Sequence, residues 1–398
     1  MRGYEKILII IGIIFISFNL RAPITAVGSV VGMIQADSMF SSGMVGFITT
    51  LPLLTFAIVS PPFVAKIFSK TGLWKTDGIW TVFHFNWRLV RSYTNLIGIF
   101  IGTTFLGIGI AIGNVLIPGI IKLKFSDKVG LMTSIYTSGM CTFAAIGAGL
   151  SIPLAKDLDL GWKNALAFWV VLTAITLLIW LPQFKAKRNS NVNHIATGGA
   201  SATSIWKSPT AWWVTLFMGT QSFLFYSLVA WLPTIIISTG MKDSFAGTMA
   251  LAFQLVAIPA TLIIPLLCDK FKNQRGLVSI TCLLYISGMS LFLISQTQMS
   301  ILLSVALMAL GMGGSISLSI AFISLRSPPN SVRASELSGM SQSAGYLLAA
   351  VGPILMGVIY DTSKSWLLPV IIFCGLIILL GFFGWFAGND IKTEIRPA

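Results

Sequence analysis

The sequence predicts an all-α membrane protein, with twelve transmembrane helices arranged as two six-helix bundles. Three observations carry that expectation. Of the 398 residues, 55% are hydrophobic and only 10% are charged, where a soluble domain carries about 25% charged residues. Apolar runs recur along the chain at the length that crossing a bilayer requires, about 20 residues. The second half of the chain also repeats the first at a fixed offset. The mean hydropathy of +0.88 agrees. Twelve acids and 26 bases are too few to cover a water-facing surface, and the abundance of apolar side chains excludes intrinsic disorder.

In chain order, the apolar runs place helices near 7–34, 43–65, 76–93, 95–121, 129–155, 163–182, 209–238, 244–268, 276–295, 299–323, 333–359 and 365–387. The first run could be read as a signal peptide. Its apolar stretch continues past Asn19 and Arg21 to Ile34, with further segments behind it, so a retained first helix is expected. The segment at 76–93 is the weak one. Asp77, His84, Asn86 and Arg88 make it a poor spanning helix. It reads either as a short divergent helix with Arg88 reaching the outer interface, or as the product of two compensating frame errors near residues 73 and 91. Resequencing the coding DNA separates the two.

Loop charge sets the topology. With the N-terminus inside, nineteen of the 26 bases fall in cytoplasmic segments and six in external ones, with Arg21 inside the first helix. That asymmetry expects both termini in the cytoplasm of a bacterial inner-membrane protein, and an even helix count. It also accounts for the net charge of +14 without a nucleic-acid partner. The longest connection, residues 183–208, is polar and basic. It separates an expected N-terminal bundle (1–182) from a C-terminal bundle (209–398).

The two halves align under a gapless shift of 204 residues. Gly43 falls on Gly247, Pro61 on Pro265, Lys66 on Lys270, Lys122 on Arg326, Asp157 on Asp361 and Trp162 on Trp366. Several of these are turn or loop-end residues, which hydrophobicity alone would not align. Repeated sets of spanning helices are the architecture of secondary transporters, whose substrate sites lie between the repeats near midplane.

Enzyme chemistry finds no foothold. Cys141, Cys268, Cys282 and Cys374 lie far apart with no CxxC pair, and His84 and His194 are distant from each other, so neither a metal site nor a cofactor is expected. Gly107-x-Gly109-x-x-x-Gly113 superficially resembles a dinucleotide loop. It follows no strand, however, and reads as close helix packing.

Arg21 is the residue that demands a function. It lies midway between Lys6 and Asp37, roughly 22 Å from either end of its helix. A cation at that depth costs at least about 2.5–3.5 kcal/mol. No acid sits at mid-depth in the clear helices. Either a bound anion or polar substrate meets the guanidinium, whose planar fork suits oxyanions, or backbone carbonyls, amides and water satisfy it. Asn19 and Thr25 flank it, and Pro23 interrupts the helical ladder. The repeat puts Phe225 at the equivalent position in the second half, where Gln221 and Tyr226 are the polar candidates. Asn114, Tyr136, Gln254, Gln342 and Tyr346 complete a possible cavity lining. Taken singly, each could equally be a helix–helix hydrogen bond. The basic turns around Lys66 and around Asp269, Lys270 and Arg275 could latch neighbouring helices by charge pairing, or merely set topology.

Four stretches carry a resemblance. "NLRAPITAVGSV" (19–30), "GIAIGNVLIPGIIKLKF" (109–125), "VGLMTSIYTSGM" (129–140) and "LSGMSQSAGYLLAAVGP" (337–353) resemble the cyanate/nitroimidazole transporters of bacteria, within the major facilitator superfamily. The resemblance implies two six-helix bundles rocking about a central site, and as substrates small anions or small polar nitrogen compounds. It carries Asn19, Arg21, Thr25, Asn114, Gln342 and Tyr346 over as substrate contacts. The turn between helices 2 and 3 departs from the superfamily pattern in lacking its acid. A secondary transporter working as a monomer in the lipid bilayer is therefore expected. Its coupling is open: a proton could travel with the substrate or use Glu336 at a helix end. The alternatives are a multidrug or neutral-solute exporter of the same fold and a membrane sensor that binds without transport.

Overall fold

The computed structural model describes residues 3–38, 40–59, 96–125, 129–184, 205–326 and 331–389. The doubtful segment at 76–93, Lys66 and most of the 183–208 connection lie outside the described residues. Every long element within them is an α-helix: α1 (Gly3–Ser38), α2 (Ser42–Val59), α3 (Leu96–Lys124), α4 (Val129–Lys156), α5 (Gly161–Ala167) and α6 (Val170–Phe184), then α7 (Pro209–Ser238), α8 (Asp243–Leu255), α9 (Ala257–Lys270), α10 (Arg275–Ile294), α11 (Gln298–Arg326), α12 (Ser331–Ser363) and α13 (Leu367–Ala387). Among the described residues, nine helical stretches are long and apolar enough to cross a membrane, and two shorter apolar helices accompany them. These match the eleven expected segments other than 76–93. The structure adds two interruptions. The expected helix at 163–182 turns at Phe168–Trp169, between α5 and α6, and the one at 244–268 is broken at Val256, between α8 and α9.

Contacts divide the chain into two compact units, Met1–Met39 with Phe47–Val192, and Phe40–Gly46 with Asn193–Ala398. The division passes through α2. Its first turns belong to the second unit and the remainder to the first.

In the first unit α1 packs chiefly along α4. Small residues let the two backbones meet. Gly139 faces Ser17 and Phe18, and Gly147 faces Thr25 and the Ala22 carbonyl. The Phe18 and Phe143 rings stack, with centroids 3.7 Å apart, and Ser29 Oγ donates to the Ala148 carbonyl at 2.7 Å. In apolar surroundings such close packing and interhelical hydrogen bonds, rather than a solvent-driven hydrophobic effect, hold helices together.

The second unit is built on α7 and α12. Helix α7 opens with Ser208 as its cap, accepting from the Ala211 N–H, and with Pro209 at its first position, where the missing N–H costs nothing. Gly219 meets Gly345, and Gly352 meets Ser227 and Phe223. Helices α10 and α13 keep Ile280, Leu283, Ile371 and Ile378 on the outside, as a lipid-facing surface requires.

The termini of α9, α10, α11 and α13 meet at one end of this unit, around a buried arginine. Arg326, only 3% exposed, donates from Nε to the Ala387 carbonyl at 2.9 Å and from a terminal nitrogen to Gln274 Oε1. The Gln274 N–H in turn bonds the Gly388 carbonyl at 3.0 Å. Truncating Arg326 to Ala strips two buried acceptors of their donor, and each such loss costs about 1–3 kcal/mol. We expect Arg326→Ala to lower the melting temperature of the detergent-solubilised protein by several degrees, and Arg326→Lys to recover only part of the loss.

Candidate functional site

Arg21 sits half-buried near the middle of α1. At about 1.5 Å per residue the 36-residue α1 is about 54 Å long. Arg21 is therefore about 26 Å from either end of the helix. Two groups on α4, the Tyr136 hydroxyl and the Cys141 thiol, lie within electrostatic reach of the guanidinium. Tyr136 Oη donates to Asn114 Oδ1 at 3.0 Å, which ties α4 to α3. Helices α1, α3 and α4 thus present a cation, a phenol and an amide to one neighbourhood. That trio can hold a small polar ligand: the guanidinium by charge-assisted hydrogen bonds and the Asn114 amide nitrogen by donation to acceptor atoms, while the Tyr136 oxygen, its proton committed to Asn114, accepts from a ligand donor.

The flanking residues do a different job. Asn19 is fully buried. Its amide nitrogen donates to the Phe15 carbonyl at 2.8 Å and to Thr176 Oγ1 at 2.7 Å, and its oxygen accepts from Thr173 Oγ1 at 2.8 Å. It clamps α1 to α6. Thr25 is buried against Gly147, and its hydroxyl turns back to the Arg21 and Ala22 carbonyls, at 3.3 Å each. Both residues act on the placement of Arg21 through the packing of its helix. The Thr173/Thr176 pair did not emerge from reading the sequence, and Cys141 was read there only as one of four scattered cysteines. The threonines' spacing of three on an apolar helix was the available signal, since such hydroxyls mark helix–helix hydrogen bonds.

The polar candidates of the second unit form their own group. Gln221 is buried on α7, its Oε1 accepting from Ser222 Oγ at 3.2 Å. The Tyr226 and Tyr346 rings of α7 and α12 lie 6.4 Å apart at 64°, with Phe225 edge-on to Tyr226 at 4.9 Å. Gln342 stands one turn before Tyr346 on α12. Gln254 is buried at the end of α8, just before the break at Val256, and its Nε2 finds no hydrogen-bond partner among the described residues. Interrupted helices frequently mark substrate sites in transporters.

The basic turn shows one helix-end anchor. Arg275 Nε donates to the Trp385 carbonyl at 3.0 Å, with its guanidinium 4.9 Å from the Trp385 ring centroid. Lys270 is exposed. The Asp269 side chain, like Lys66, lies outside the described residues. No group of three or more His, Cys, Asp or Glu side chains comes together among the described residues.

Residues 8–350 and 238–397 match the family model of the Major Facilitator Superfamily. The chain belongs to that superfamily. It is a transporter of the major facilitator fold, a multi-pass membrane protein and not an enzyme. A Bacillus subtilis (strain 168) protein described as the uncharacterized transporter YycB is 43% identical over 382 residues, covering 96% of this chain and 94% of its own. The 2-nitroimidazole transporter of Escherichia coli (strain K12) is 35% identical, covering 100% and 98%. The cyanate transport protein CynX of the same strain is 22% identical, covering 89% and 91%. Among solved structures, a D-xylose-proton symporter aligns with TM-score 0.73 at 14% identity, covering 98% of both chains, which speaks for the facilitator fold alone.

Proposed function

We propose that this facilitator moves small anions or small polar nitrogen compounds, cyanate-like or nitroimidazole-like, across the bacterial cell membrane by alternating access. The observation that carries the reading is Arg21 at mid-length of α1, within electrostatic reach of Tyr136, which is itself bonded to Asn114. The names of the relatives favour the same substrate class. Arg21 binds the acceptor end of the substrate, and Tyr136 and Asn114 orient it. Asn19 and Thr25 position the helix. In the second unit the proposal assigns substrate contact to Gln221, Tyr226, Gln254, Gln342 and Tyr346. Both termini face the cytoplasm, and the monomer is the working unit, with a proton as the candidate coupling ion.

Uptake into proteoliposomes tests the reading. Labelled cyanate and labelled 2-nitroimidazole are offered in parallel, with and without an imposed pH gradient. Time-dependent accumulation of either, above protein-free liposomes and competed by excess unlabelled compound, is the expected result. Saturable binding of both without flux would overturn transport of this class in favour of a sensor. Flux of bulky neutral compounds alone would point to an exporter of the same fold.

A further inference from the structure

The three polar side chains at the Arg21 site do not offer a ligand the same chemistry. A guanidinium has donors and no acceptor, a primary amide has both, and a phenol has one proton and two lone pairs. The Tyr136 proton goes to Asn114 Oδ1, at 3.0 Å. That bond uses the one donor of the phenol and engages the acceptor end of the amide. Arg21 and the Asn114 amide nitrogen are left to face a ligand as donors. The Tyr136 oxygen faces it as an acceptor, held in one orientation by α3.

Packing isolates that oxygen. Tyr136 is only 7% exposed, and no further hydrogen bond reaches it among the described residues. Gly139, one turn further along α4, lies against Ser17 and Phe18 of α1, so the phenol stands at the seam of α1 and α4 while its hydroxyl reaches α3. A buried polar atom of this kind is best satisfied when something donates to it. Arg21 and Asn114, by contrast, are each half-buried and keep an open side through which a ligand can reach them.

Two kinds of ligand fare differently here. A bare anion only accepts: it meets the two donor groups and sets its own lone pairs against those of the phenol. A ligand with an N–H beside an acceptor atom matches all three groups at once. A site built to hydrogen-bond a substrate N–H discriminates against the analogue that lacks it.

We propose that this site selects for a donor: its preferred substrates are planar nitrogen compounds that give an N–H to the Tyr136 oxygen while Arg21 and Asn114 hold an adjacent acceptor. The inference rests on the substrate site proposed above and narrows its class from small anions and polar nitrogen compounds to the second of these. Tyr136 determines the specificity, and Asn114 sets its polarity by taking the phenol proton.

The test uses two ligands that differ by one donor: 2-nitroimidazole, and 1-methyl-2-nitroimidazole, in which a methyl group replaces the N–H. Binding of labelled 2-nitroimidazole to the detergent-solubilised full chain is competed with each unlabelled compound, at mildly acidic pH so that the ring keeps its proton. Binding is read instead of flux, so the result does not depend on transport. For the parental protein the N–H compound should compete about tenfold better or more, the scale of one buried hydrogen bond left unmade. Tyr136→Phe should bring the ratio close to one. The methyl group is also bulkier than hydrogen, so it is the collapse of the ratio on removing the hydroxyl that identifies the contact. Each ratio is taken within one variant, which cancels differences in the amount of folded protein. Tyr136→Leu is read in the same way should the Phe variant fail to accumulate. Equal competition by the two compounds in the parent, or the parental ratio retained without the hydroxyl, would overturn the inference. So would the absence of saturable 2-nitroimidazole binding; accompanied by cyanate uptake into proteoliposomes, that outcome would leave transport of small anions standing. A collapsed ratio without flux of either compound would do the reverse, supporting recognition of the N–H and removing transport.

Discussion

Arg21→Ala and Arg21→Gln are expected to abolish uptake of cyanate and of 2-nitroimidazole in proteoliposomes while the protein still inserts. A charge-assisted hydrogen bond is worth about 1.5–3 kcal/mol. A guanidinium that makes two such bonds to a small acceptor therefore accounts for roughly a hundredfold or more in affinity, at about 1.4 kcal/mol per tenfold. Arg21→Lys keeps the charge and loses the planar fork, so it should retain weak flux, about tenfold or more below the parent. Because removing the cation also relieves its cost at mid-bilayer, the Gln variant should melt close to the parental temperature. Loss of transport at intact stability is what separates recognition from scaffolding. Parental uptake by Arg21→Gln would take the residue out of the substrate site. Tyr136→Phe, which removes the hydroxyl bonded to Asn114, should raise KM more than it lowers the maximal rate.

Gly147→Val is expected to prevent accumulation of folded protein altogether. A Cβ at Gly147 would stand 2.6 Å from Thr25 Oγ1, 2.8 Å from the Ala22 carbonyl oxygen and 3.0 Å from Ala22 Cα. Two of those three atoms are backbone and cannot swing aside, so α1 and α4 would have to separate. Separation would also stretch the Ser29 to Ala148 hydrogen bond. Overpacking of a dense contact typically costs about 1–3 kcal/mol. Gly147→Ala should fall in that range, with the bulkier valine well beyond it. Size-exclusion profiles and thermal melts of detergent-solubilised protein report both. Gly276 supplies the control: it is the second residue of α10, with nothing within 4 Å of an added Cβ, so Gly276→Ala should leave the profile unchanged.

Much of this was legible in the amino-acid sequence. The apolar runs marked the eleven apolar helical stretches found among the described residues, because a bilayer demands a length that composition alone reveals. The depth of Arg21 followed from counting residues along one helix. What escaped was whatever depends on distant segments meeting. Asn19 looked like a cavity residue from its place beside Arg21, and only the approach of Thr173 and Thr176 on α6 shows it spent on helix packing. The break at Val256 had no Gly or Pro at the break itself; Pro259 follows it by three residues. The capping of α2 by Asp361 could not be seen either, since a loop-end acid in an alignment of two halves gives no hint of which helix it serves.

One stretch of α1 carries three duties on two sides: Asn19 toward α6, and Arg21 and Thr25, one turn apart, toward α4. Each residue added to a helix turns everything beyond it by about 100°. A single insertion between Asn19 and Thr25 would therefore throw at least one duty out of phase, and no insertion short of a full turn could restore it. Change here is confined to exchanging side chains at constant length. On the proposed site, new cargo would be acquired by swapping residues such as Tyr136 or Asn114 around an immovable ruler.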